Sequence, residues 1–258
     1  MKLWSQTSGN GPALVLLHGW GMNAAVWQPL LAELESTYSV TRIELPGHGH
    51  SAYSASEQSL TDWAEAALEA APADAIWLGW SLGGLVALQA ALLAPQSMRA
   101  LLLLSATPKF AQADGWPCAM APAVLQQFAD SLSQDSQATL SRFLSLQTKG
   151  MADARGMLKQ LRAGFAERPV ASEAALSTGL QLLRDSDLRD RLYNIDVATS
   201  WIFGARDTLT PACVASQVQS LMPAASIHVL DGAAHVPFMS HWPQCFEVLQ
   251  RLEAQVYA

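Results

Sequence analysis

One segment constrains the fold of this chain more than any other: an apolar run, a glycine-serine turn and an apolar helix follow one another without interruption. Ala75 to Leu78 has the length and composition of a buried strand, and LVALQAALLA after the turn is typical of a helix. Between them stands GWSLGG, with Ser81 at the centre of a G-x-S-x-G pattern. A turn this sharp excludes bulky flanking side chains, which explains Gly79 and Gly83. The segment predicts that Ser81 Oγ is held clear of the backbone at a helix amino terminus, where a developing anion is stabilised.

Short apolar runs followed by turn residues recur along the chain and predict the strands of a sheet. Most are continuously apolar, as expected for strands that helices cover on both faces. Helix-compatible segments such as Ser59 to Ala70 and Ser81 to Leu93 lie between them. This alternation predicts an α/β fold with a mostly parallel central sheet flanked by helices. The predicted strands are Ala13 to Leu17, Val40 to Leu45, Ala75 to Leu78, Ala100 to Leu104, Thr199 to Phe203 and Ser226 to Leu230.

The alternation stops between residues 110 and 187. This stretch is rich in Gln, Ala, Ser and Leu, and it has the composition of several helices without a strand, with a proline break after Arg168. One interpretation is a helical segment that belongs to the same domain and has no role of its own. We favour a lid over the active site, because long insertions in such folds usually carry function. We therefore predict a core of residues 1–109 and 188–258 and a helical lid subdomain of residues 110–187.

Composition and charge limit the classes of partner. Half of the residues are hydrophobic and 14% are charged, which is enough apolar material for a large core. The net charge of −7 argues against a nucleic-acid binder, which needs a basic footprint. No apolar run reaches the length that crosses a bilayer, and the amino terminus lacks the pattern of a signal peptide. We expect a cytoplasmic monomer that acts on neither nucleic acid nor membranes.

The cysteines of the chain are Cys118, Cys213 and Cys245. Three is an odd number, and no two of them form a C-x-x-C pair. Reduced thiols are therefore the expectation. A metal cluster is not expected from this spacing, and we predict no cofactor.

A serine hydroxyl becomes a nucleophile when a base lies beside it, and six histidines compete for that role. His235 lies in DGAAHVPF directly after the last predicted strand, at the edge where parallel sheets gather reactive groups. His241 is its rival, although we expect it to begin the final helix. The remaining four have structural interpretations: His18 braces a loop, His48 lies in a tight loop, His50 lies at the exposed end of that loop, and His228 lies inside a strand.

The base needs an acid to orient it, and Asp207 is the candidate. It lies in GARDTLTP just after the predicted strand Thr199 to Phe203, and it precedes His235 in the chain. The order Ser, Asp, His is the one expected for this arrangement of strands. A helix-capping role for Asp207 is the alternative interpretation. Asp187 and Asp196 are alternative acids at less suitable positions.

Acyl transfer also needs two donors aimed at the oxygen that becomes negative. The backbone N–H of Leu82, directly after the nucleophile, is the first candidate. The loop LHGWG after the first predicted strand offers the second, the backbone N–H of Trp20, because its glycines let the loop curl toward Ser81. The side chains of Trp20 and Trp80 are then free to serve as apolar walls.

Several motifs together make a resemblance to a known family. HGWGMNAAVW, ELPGHGHS, WLGWSLGGLVA, FGARDTLTP and HVPFMSHWP resemble the α/β-hydrolase superfamily over nearly the whole chain. More narrowly, HGWG, WLGWSLGGL, RFLSLQTKG and the His235 segment are similar to the carboxylesterases of biotin synthesis, the BioH family. That resemblance implies cleavage of the methyl ester of pimeloyl-acyl-carrier protein. It places the catalytic triad on Ser81, Asp207 and His235, and substrate contacts on Trp20, Leu82, Phe143, Leu144, Ser145, Leu146 and Gln147.

The predicted lid carries a local excess of positive charge. Between Ala138 and Arg162 there are five basic residues and one acid, Asp153. Three of the basic residues are spaced i, i+4 and i+7, which places them on one helical face. An acidic acyl-carrier protein is the partner that we expect there, although a solvated helix face is the plain alternative. Ala138 departs from the family pattern, which has a basic residue there. The predicted docking residues are Arg142, Arg155, Lys159 and Arg162, with Lys149 the remaining basic residue.

Three hypotheses about function follow. The first is a serine carboxylesterase that releases methanol from the carrier-bound ester or acts on small esters. The second keeps the fold but changes either the substrate, as in a general short-chain carboxylesterase, or the reaction, as in a C–C hydrolase or a cofactor-free peroxidase. The third is a non-catalytic binding module, which is expected to have lost a triad member or an elbow glycine. All of these residues are present in this chain.

Overall fold

A computed structural model describes residues 1–257 and contains a seven-stranded sheet in the order β1-β3-β2-β4-β5-β6-β7. The strand β1 pairs antiparallel with β3, and the other neighbouring strands pair in parallel. The fold class predicted from the sequence is therefore confirmed. The strands are β1 (Ser5–Ser8), β2 (Ala13–Leu17), β3 (Ser39–Ile43), β4 (Ala75–Trp80), β5 (Met98–Leu104), β6 (Ala198–Gly204) and β7 (Ser226–Leu230).

Helices and 3-10 turns fill the connections between the strands. Within residues 1–257, no helix is both long enough and apolar enough to span a bilayer. The helices are α1 (Leu31–Leu34), α2 (Leu60–Ala70), α3 (Leu82–Leu93), α4 (Pro122–Gln134), α5 (Ser136–Gln147), α6 (Ala154–Ala166), α7 (Glu173–Asp185), α8 (Val214–Leu221), α9 (Pro237–Ser240) and α10 (Trp242–Val256), and the 3-10 turns are Ala24–Leu30, Pro95–Ser97 and Arg189–Asn194.

The side chains of alternate residues in a strand pack into apolar clusters on opposite faces of the sheet. In β2, Val15 and Leu17 belong to one cluster, and Leu14 and Leu16 belong to the other. All four are fully buried. Burial on both faces is the reason that the strands are continuously apolar in sequence.

All six predicted strands are present, with ends that differ by no more than two residues. The strand β1, Ser5–Ser8, was not predicted. Its sequence SQTS is polar throughout, and it lies at the edge of the sheet with little burial, so no hydrophobic pattern marks it. The helix-compatible segment Ser59 to Ala70 is confirmed as α2. Ser59 caps this helix, because its hydroxyl accepts a hydrogen bond from Asp62 N–H and the Asp62 carboxylate accepts one from Ser59 N–H.

The segment between β5 and β6 holds α4 to α7, as the composition of this region predicts. Its two ends lie together. Leu188 N–H donates to Pro108 O at 3.0 Å, and Lys109 Nζ lies 3.4 Å from Asp187 Oδ2. The two ends of this helical segment, called the insert below, therefore lie side by side.

The prediction that all three cysteines are reduced thiols is wrong for one pair. Cys118 and Cys213 form a disulfide, with their Cα atoms 5.6 Å apart. The two residues are 95 positions apart in the chain, so no local spacing indicates the bond. Cys245 is free and buried. The disulfide joins the start of the insert to the segment that follows the Asp207 loop.

Candidate active site

Ser81 lies between the last residue of β4 and the first residue of α3, with φ 54° and ψ −119°. This backbone conformation is costly for a residue with a side chain, and such strain is typical of functional sites. The flanking glycines make the turn possible. A Cβ on Gly79 would lie 2.7 Å from Gly83 O, and a Cβ on Gly83 would lie 2.5 Å from Leu17 O. The sharp turn predicted around Ser81, between Gly79 and Gly83, is therefore present.

The structure brings Ser81, His235 and Asp207 together in one hydrogen-bonded row. His235 Nε2 lies 2.9 Å from Ser81 Oγ, and His235 Nδ1 lies 2.8 Å from Asp207 Oδ2. A carboxylate can only accept, so the proton of the neutral imidazole is on Nδ1 and the Nε2 lone pair faces the serine. The three residues are 2%, 1% and 5% exposed, in the order serine, histidine, aspartate. The arrangement can remove a proton from Ser81 Oγ and stabilise the imidazolium that forms.

Two hydrogen bonds that sequence reasoning missed hold the backbone of His235. Its N–H donates to Gln147 O at 3.1 Å, and its C=O accepts from Trp80 Nε1 at 2.8 Å. Trp80 is fully buried and packs edge-on against Phe238. The bond from Trp80 joins residues 155 positions apart, and no sequence pattern reports such a contact. Trp80 thus holds the histidine loop in addition to its predicted position beside the nucleophile.

Asp207 uses its two oxygens for different partners. Oδ1 accepts from the N–H groups of Leu209 and Thr210 at 2.8 and 2.9 Å, and Oδ2 faces His235. The helix-capping interpretation of Asp207 is wrong, because the next helix, α8, begins at Val214 with Cys213 at its cap; Oδ1 instead stabilises a turn. The two alternative acids lie elsewhere: Asp187 at the stem of the insert, and Asp196 two residues before β6, at the opposite end of that strand.

The loop between β2 and the first 3-10 turn approaches the nucleophile. A Cβ on Gly19 would lie 3.3 Å from Ser81 Cβ, so the loop passes directly beside it. Within residues 1–257, the backbone N–H groups of Trp20 and Leu82 have no protein acceptor. Two unpaired donors near the nucleophile are what a developing oxyanion requires. In the same part of the chain, no group of three or more His, Cys, Asp or Glu side chains is arranged to hold a metal ion.

The insert packs directly onto Trp20. Phe143 of α5 meets the Trp20 ring edge-on, with the ring centroids 4.8 Å apart, and Trp20 Nε1 donates to Leu176 O of α7 at 2.8 Å. Of the other family-implied contact residues, Leu144 is buried and Leu146 is half-buried. Ser145 is the exception, because it is exposed and its hydroxyl donates to Ser141 O within its own helix.

Gln147 ends α5, and its side chain is fully buried. Within residues 1–257, neither the amide oxygen nor the amide nitrogen of this side chain has a hydrogen-bond partner. A buried amide without a partner is unfavourable, so such groups call for a physical explanation. The amide lies on the residue whose backbone C=O binds His235, which places it near the candidate site.

The four predicted docking residues are exposed, and they fall into two sets. Arg142 of α5 is held against α4, because it donates to Gln127 Oε1 at 3.3 Å and lies over the Phe128 ring. The other three are on α6, and within residues 1–257 none of them makes an ion pair: Arg155, Lys159 and Arg162.

The remaining histidines have structural positions. His241 precedes the first residue of α10, as expected, and His228 lies within β7. His50 is exposed at the end of its loop. His18 and His48 are fully buried. None of these five lies within hydrogen-bonding distance of Ser81 Oγ.

Fold and site together define a hydrolase with a serine nucleophile. The model of the alpha/beta hydrolase fold family matches residues 12–241. The chain belongs to this family and, within it, to the family of the pimeloyl-(acyl-carrier protein) methyl ester esterases.

The second assignment rests on sequence identity over nearly the whole length. The esterase of that name from Photobacterium profundum is 43% identical over 95% of this chain and 96% of its own. The one from Klebsiella pneumoniae is 41% identical over 98% of each chain. Among solved structures, an esterase from Exiguobacterium antarcticum superposes with a TM-score of 0.87 at 23% identity, covering 97% of this chain and 95% of that one. This last likeness supports the fold alone.

Proposed function

We propose that this chain hydrolyses the methyl ester of pimeloyl-acyl-carrier protein, releasing methanol and the free carboxylate needed for biotin synthesis. The observation that carries the proposal is the identity of 41–43%, over at least 95% of the chain, to esterases named for that substrate. In this proposal the enzyme acts in the cytoplasm as a monomer and needs no cofactor.

The chemistry proceeds through an acyl-enzyme. Ser81 Oγ attacks the ester carbonyl carbon while His235 Nε2 takes the serine proton, and Asp207 stabilises the resulting imidazolium. The tetrahedral intermediate collapses, the bond to the methoxy oxygen breaks, and the imidazolium donates its proton so that methanol leaves. Water then attacks the acyl-enzyme with His235 again as base. The carboxylate departs and the proton returns to Ser81 Oγ.

Backbone and lid residues supply the rest of the site. The N–H groups of Trp20 and Leu82 stabilise the oxyanion, a role supported by their lack of other acceptors within residues 1–257. Phe143, packed on the Trp20 ring, offers apolar surface to the acyl chain. The unpartnered amide of Gln147 offers both a donor and an acceptor to a polar group of the substrate.

We further propose that residues 110–187 act as a lid. Ser81 is only 2% exposed and His235 only 1%, so a carrier-bound acyl chain cannot reach the serine unless part of the covering structure moves. The contacts of Phe143 and Leu176 of the insert with Trp20 support this covering role. Closure after binding excludes bulk water from the reacting groups.

The basic face of α6 is the proposed dock for the carrier. Arg155, Lys159 and Arg162 are exposed, and within residues 1–257 they are not neutralised by carboxylates. Arg142 on α5 adds a fourth cation. Carrier proteins of fatty-acid synthesis are acidic, so the two surfaces complement each other in charge. Such complementarity raises the association rate and orients the partner.

The first test replaces the nucleophile. We expect Ser81→Ala to lower kcat for pimeloyl-acyl-carrier protein methyl ester by about 10⁴-fold or more, because no other group replaces the attacking oxygen. Circular dichroism should show an unchanged fold. Near-wild-type turnover in the folded variant rules out the scheme.

The second test separates docking from chemistry. The Arg155→Glu, Lys159→Glu double variant should lower kcat/KM for the carrier-bound ester by about tenfold at low salt, and the deficit should shrink as salt screens the charges. Hydrolysis of a short p-nitrophenyl ester should stay unchanged. The control is Lys2→Glu, because Lys2 is an exposed lysine outside the insert. Equal carrier kinetics in all three proteins contradict the docking proposal and leave the esterase chemistry standing.

A further inference from the structure

The loop of Gly19, Trp20 and Gly21, called the oxyanion loop here, has a flexible backbone. Gly19 and Gly21 flank Trp20, and a side chain at either position would be crowded. A Cβ on Gly19 would lie 3.3 Å from Ser81 Cβ, and a Cβ on Gly21, which has φ +70°, would lie 2.6 Å from Leu140 Cδ2. Glycine has the largest backbone freedom of any residue. The direction of the Trp20 N–H must therefore be fixed by contacts from outside the loop.

His18 fixes the peptide group on one side of Trp20. Its Nε2 accepts from Leu45 N–H at 3.0 Å, so the ring proton is on Nδ1, and Nδ1–H donates to Gly19 O at 2.8 Å. Met22 N–H donates to the same oxygen at 3.2 Å. Gly19 C=O and Trp20 N–H belong to one trans peptide and point in opposite directions. Holding the oxygen therefore turns the Trp20 N–H to the other side of the peptide plane.

His48 holds the peptide group on the other side of Trp20. Gly21 N–H donates to His48 Nε2 at 3.2 Å. The proton of this ring is consequently on Nδ1, which donates to Pro46 O at 2.9 Å. The ring is fully buried and packs against the rings of His18 and Trp63, with centroids 5.3 and 6.1 Å away. His48 is thus a fixed acceptor joined to the segment after β3.

Burial keeps both rings neutral, as this arrangement requires. It lowers the pKa of His18 to about 3, with the nearby His48 acting in the same direction, and it lowers the pKa of His48 to about 4. A protonated ring would carry hydrogens on both nitrogens and would repel the N–H groups that now donate to Nε2. At neutral pH the acceptors that hold the loop are present in full.

We propose that His48 is a positioning residue for the oxyanion hole: through Gly21 N–H it fixes the peptide that follows Trp20, and so aims the Trp20 N–H at the reacting carbonyl oxygen. This inference rests on the role of Trp20 in the function proposed above. His48 touches neither the substrate nor Ser81 in this arrangement. Its effect belongs to the transition state, because only there does the oxygen carry the charge that the N–H stabilises.

A pair of variants tests the proposal. Asn at position 48 can donate to Pro46 O but is too short to accept from Gly21 N–H, whereas Gln can reach Gly21 N–H. We expect His48→Asn to lower kcat for a short p-nitrophenyl ester by about 10- to 100-fold with KM within about twofold, less than the full loss of an oxyanion donor. The Ki of a trifluoromethyl ketone, which forms a charged tetrahedral adduct with the serine, should rise by the same factor. His48→Gln should stay within about threefold of wild type in both measurements.

A merely structural role gives a different result. Rates are therefore expressed per active site, titrated with a phosphonate that labels the serine, and Tm is measured for each variant. If both variants keep the wild-type kcat per titrated site, or if Asn and Gln lose kcat equally, His48 does not position the loop. If Ser81→Ala is as active as wild type, the serine mechanism itself fails, which is a separate outcome. The short ester makes the test independent of the carrier protein.

Discussion

The core and the insert hold their helices in different ways. In α3 of the core, ten of twelve residues are buried, from Leu82 to Ala91. In α6 of the insert, Leu161 is the one buried residue among thirteen. Since burial of apolar surface is the main source of helix stability in proteins, α3 is fixed by its surroundings on all sides. The helix α6 buries less: Leu161 is fully buried, and Met157, Leu158 and Phe165 are partly buried against the core.

The core and the insert supply different parts of the proposed function. Ser81 is at the start of α3, so the nucleophile is held by a helix that is buried along most of its length. Three of the four cations of the proposed dock are on α6, which is less deeply buried than α3, and the fourth, Arg142, is on α5. Two hydrogen bonds connect the regions at the site itself, Trp20 Nε1–H to Leu176 O and His235 N–H to Gln147 O. Through these two bonds, the lid movement that we propose would reach the catalytic groups.

The largest expected effect compares one substitution in the two regions. Leu102 of β5 and Leu161 of α6 are 0% and 1% exposed, so both truncations to Ala remove a buried side chain. Leu102→Ala should lower the free energy of unfolding by about 3–5 kcal/mol, because strands and helices on both sides prevent collapse of the cavity. Leu161→Ala should cost no more than about 2 kcal/mol, because a surface helix can shift to fill the space. Urea unfolding measures both.

Hydrogen exchange completes this comparison. Leu161→Ala should speed exchange in α6 far more than in α3, and Leu102→Ala should speed it throughout. Equal losses of stability, with equal exchange in the two regions, would show that the insert is held as tightly as the core.

The core was predictable from the sequence because burial and sharp turns restrict which residues can stand at nearby positions in the chain. Strands buried on both faces must be apolar throughout, and Ala13–Leu17 was predicted to the residue. The edge strand Ser226–Leu230 is only partly buried, but its apolar residues were enough to predict both of its ends. The glycines at 79 and 83 record the sharp turn in the same way. The strand Ser5–Ser8 leaves no such record, because its polar residues bond only at the sheet edge. In the insert, composition predicted helices, but not where each begins and ends.

The reacting groups of the candidate site could be predicted from the sequence. The hydrogen bonds that hold those groups in place could not. Ser81, Asp207 and His235 each follow a strand, so their meeting at one edge of the sheet follows from the topology. The contacts that hold them do not, because Trp80 Nε1–H reaches the His235 carbonyl across the fold and Gln147 reaches its N–H from the insert. Such contacts depend on tertiary structure alone.

The disulfide offers the second test, because it fastens the weakly held region to the core. Cys118 precedes α4 and Cys213 precedes α8, and the bond closes a loop of 95 positions. Closing a loop of this length restricts the unfolded chain, so reduction should lower the free energy of unfolding by about 2–4 kcal/mol. Unfolding with and without reductant measures the effect. Cys118→Ser should be insensitive to reductant.

Thiol titration of the denatured protein checks the pairing directly. Before reduction one thiol should react, that of Cys245, and after reduction three should react. Three reactive thiols before reduction, together with an unfolding curve that reductant does not move, contradict the bond.

The smallest expected effect concerns the stem where the insert meets the core. Partial burial acts to raise the pKa of Asp187, but hydrogen bonds from Arg189 and the charge of Lys109 outweigh it and leave the pKa below its usual value. The contribution of this carboxylate to stability is therefore complete above the ordinary aspartate pKa of about 4 and is lost as the pH falls through the lower, folded value. Because the side chain is 34% exposed, solvent screens the pair and we expect less than about 1 kcal/mol.

Limited proteolysis of the insert across this pH range measures the stem effect. Cleavage in the wild type should accelerate as the pH falls below about 4, relative to its rate at pH 7. Asp187→Asn should be cleaved faster already at pH 7 and should respond less to acid, because its stem has no charge to lose. Asp190→Asn, which removes an exposed carboxylate three positions away, should behave like the wild type. If Asp187→Asn and Asp190→Asn give the same cleavage profile, the stem ion pairs do not hold the insert, and its attachment depends on the disulfide and the packing on Trp20.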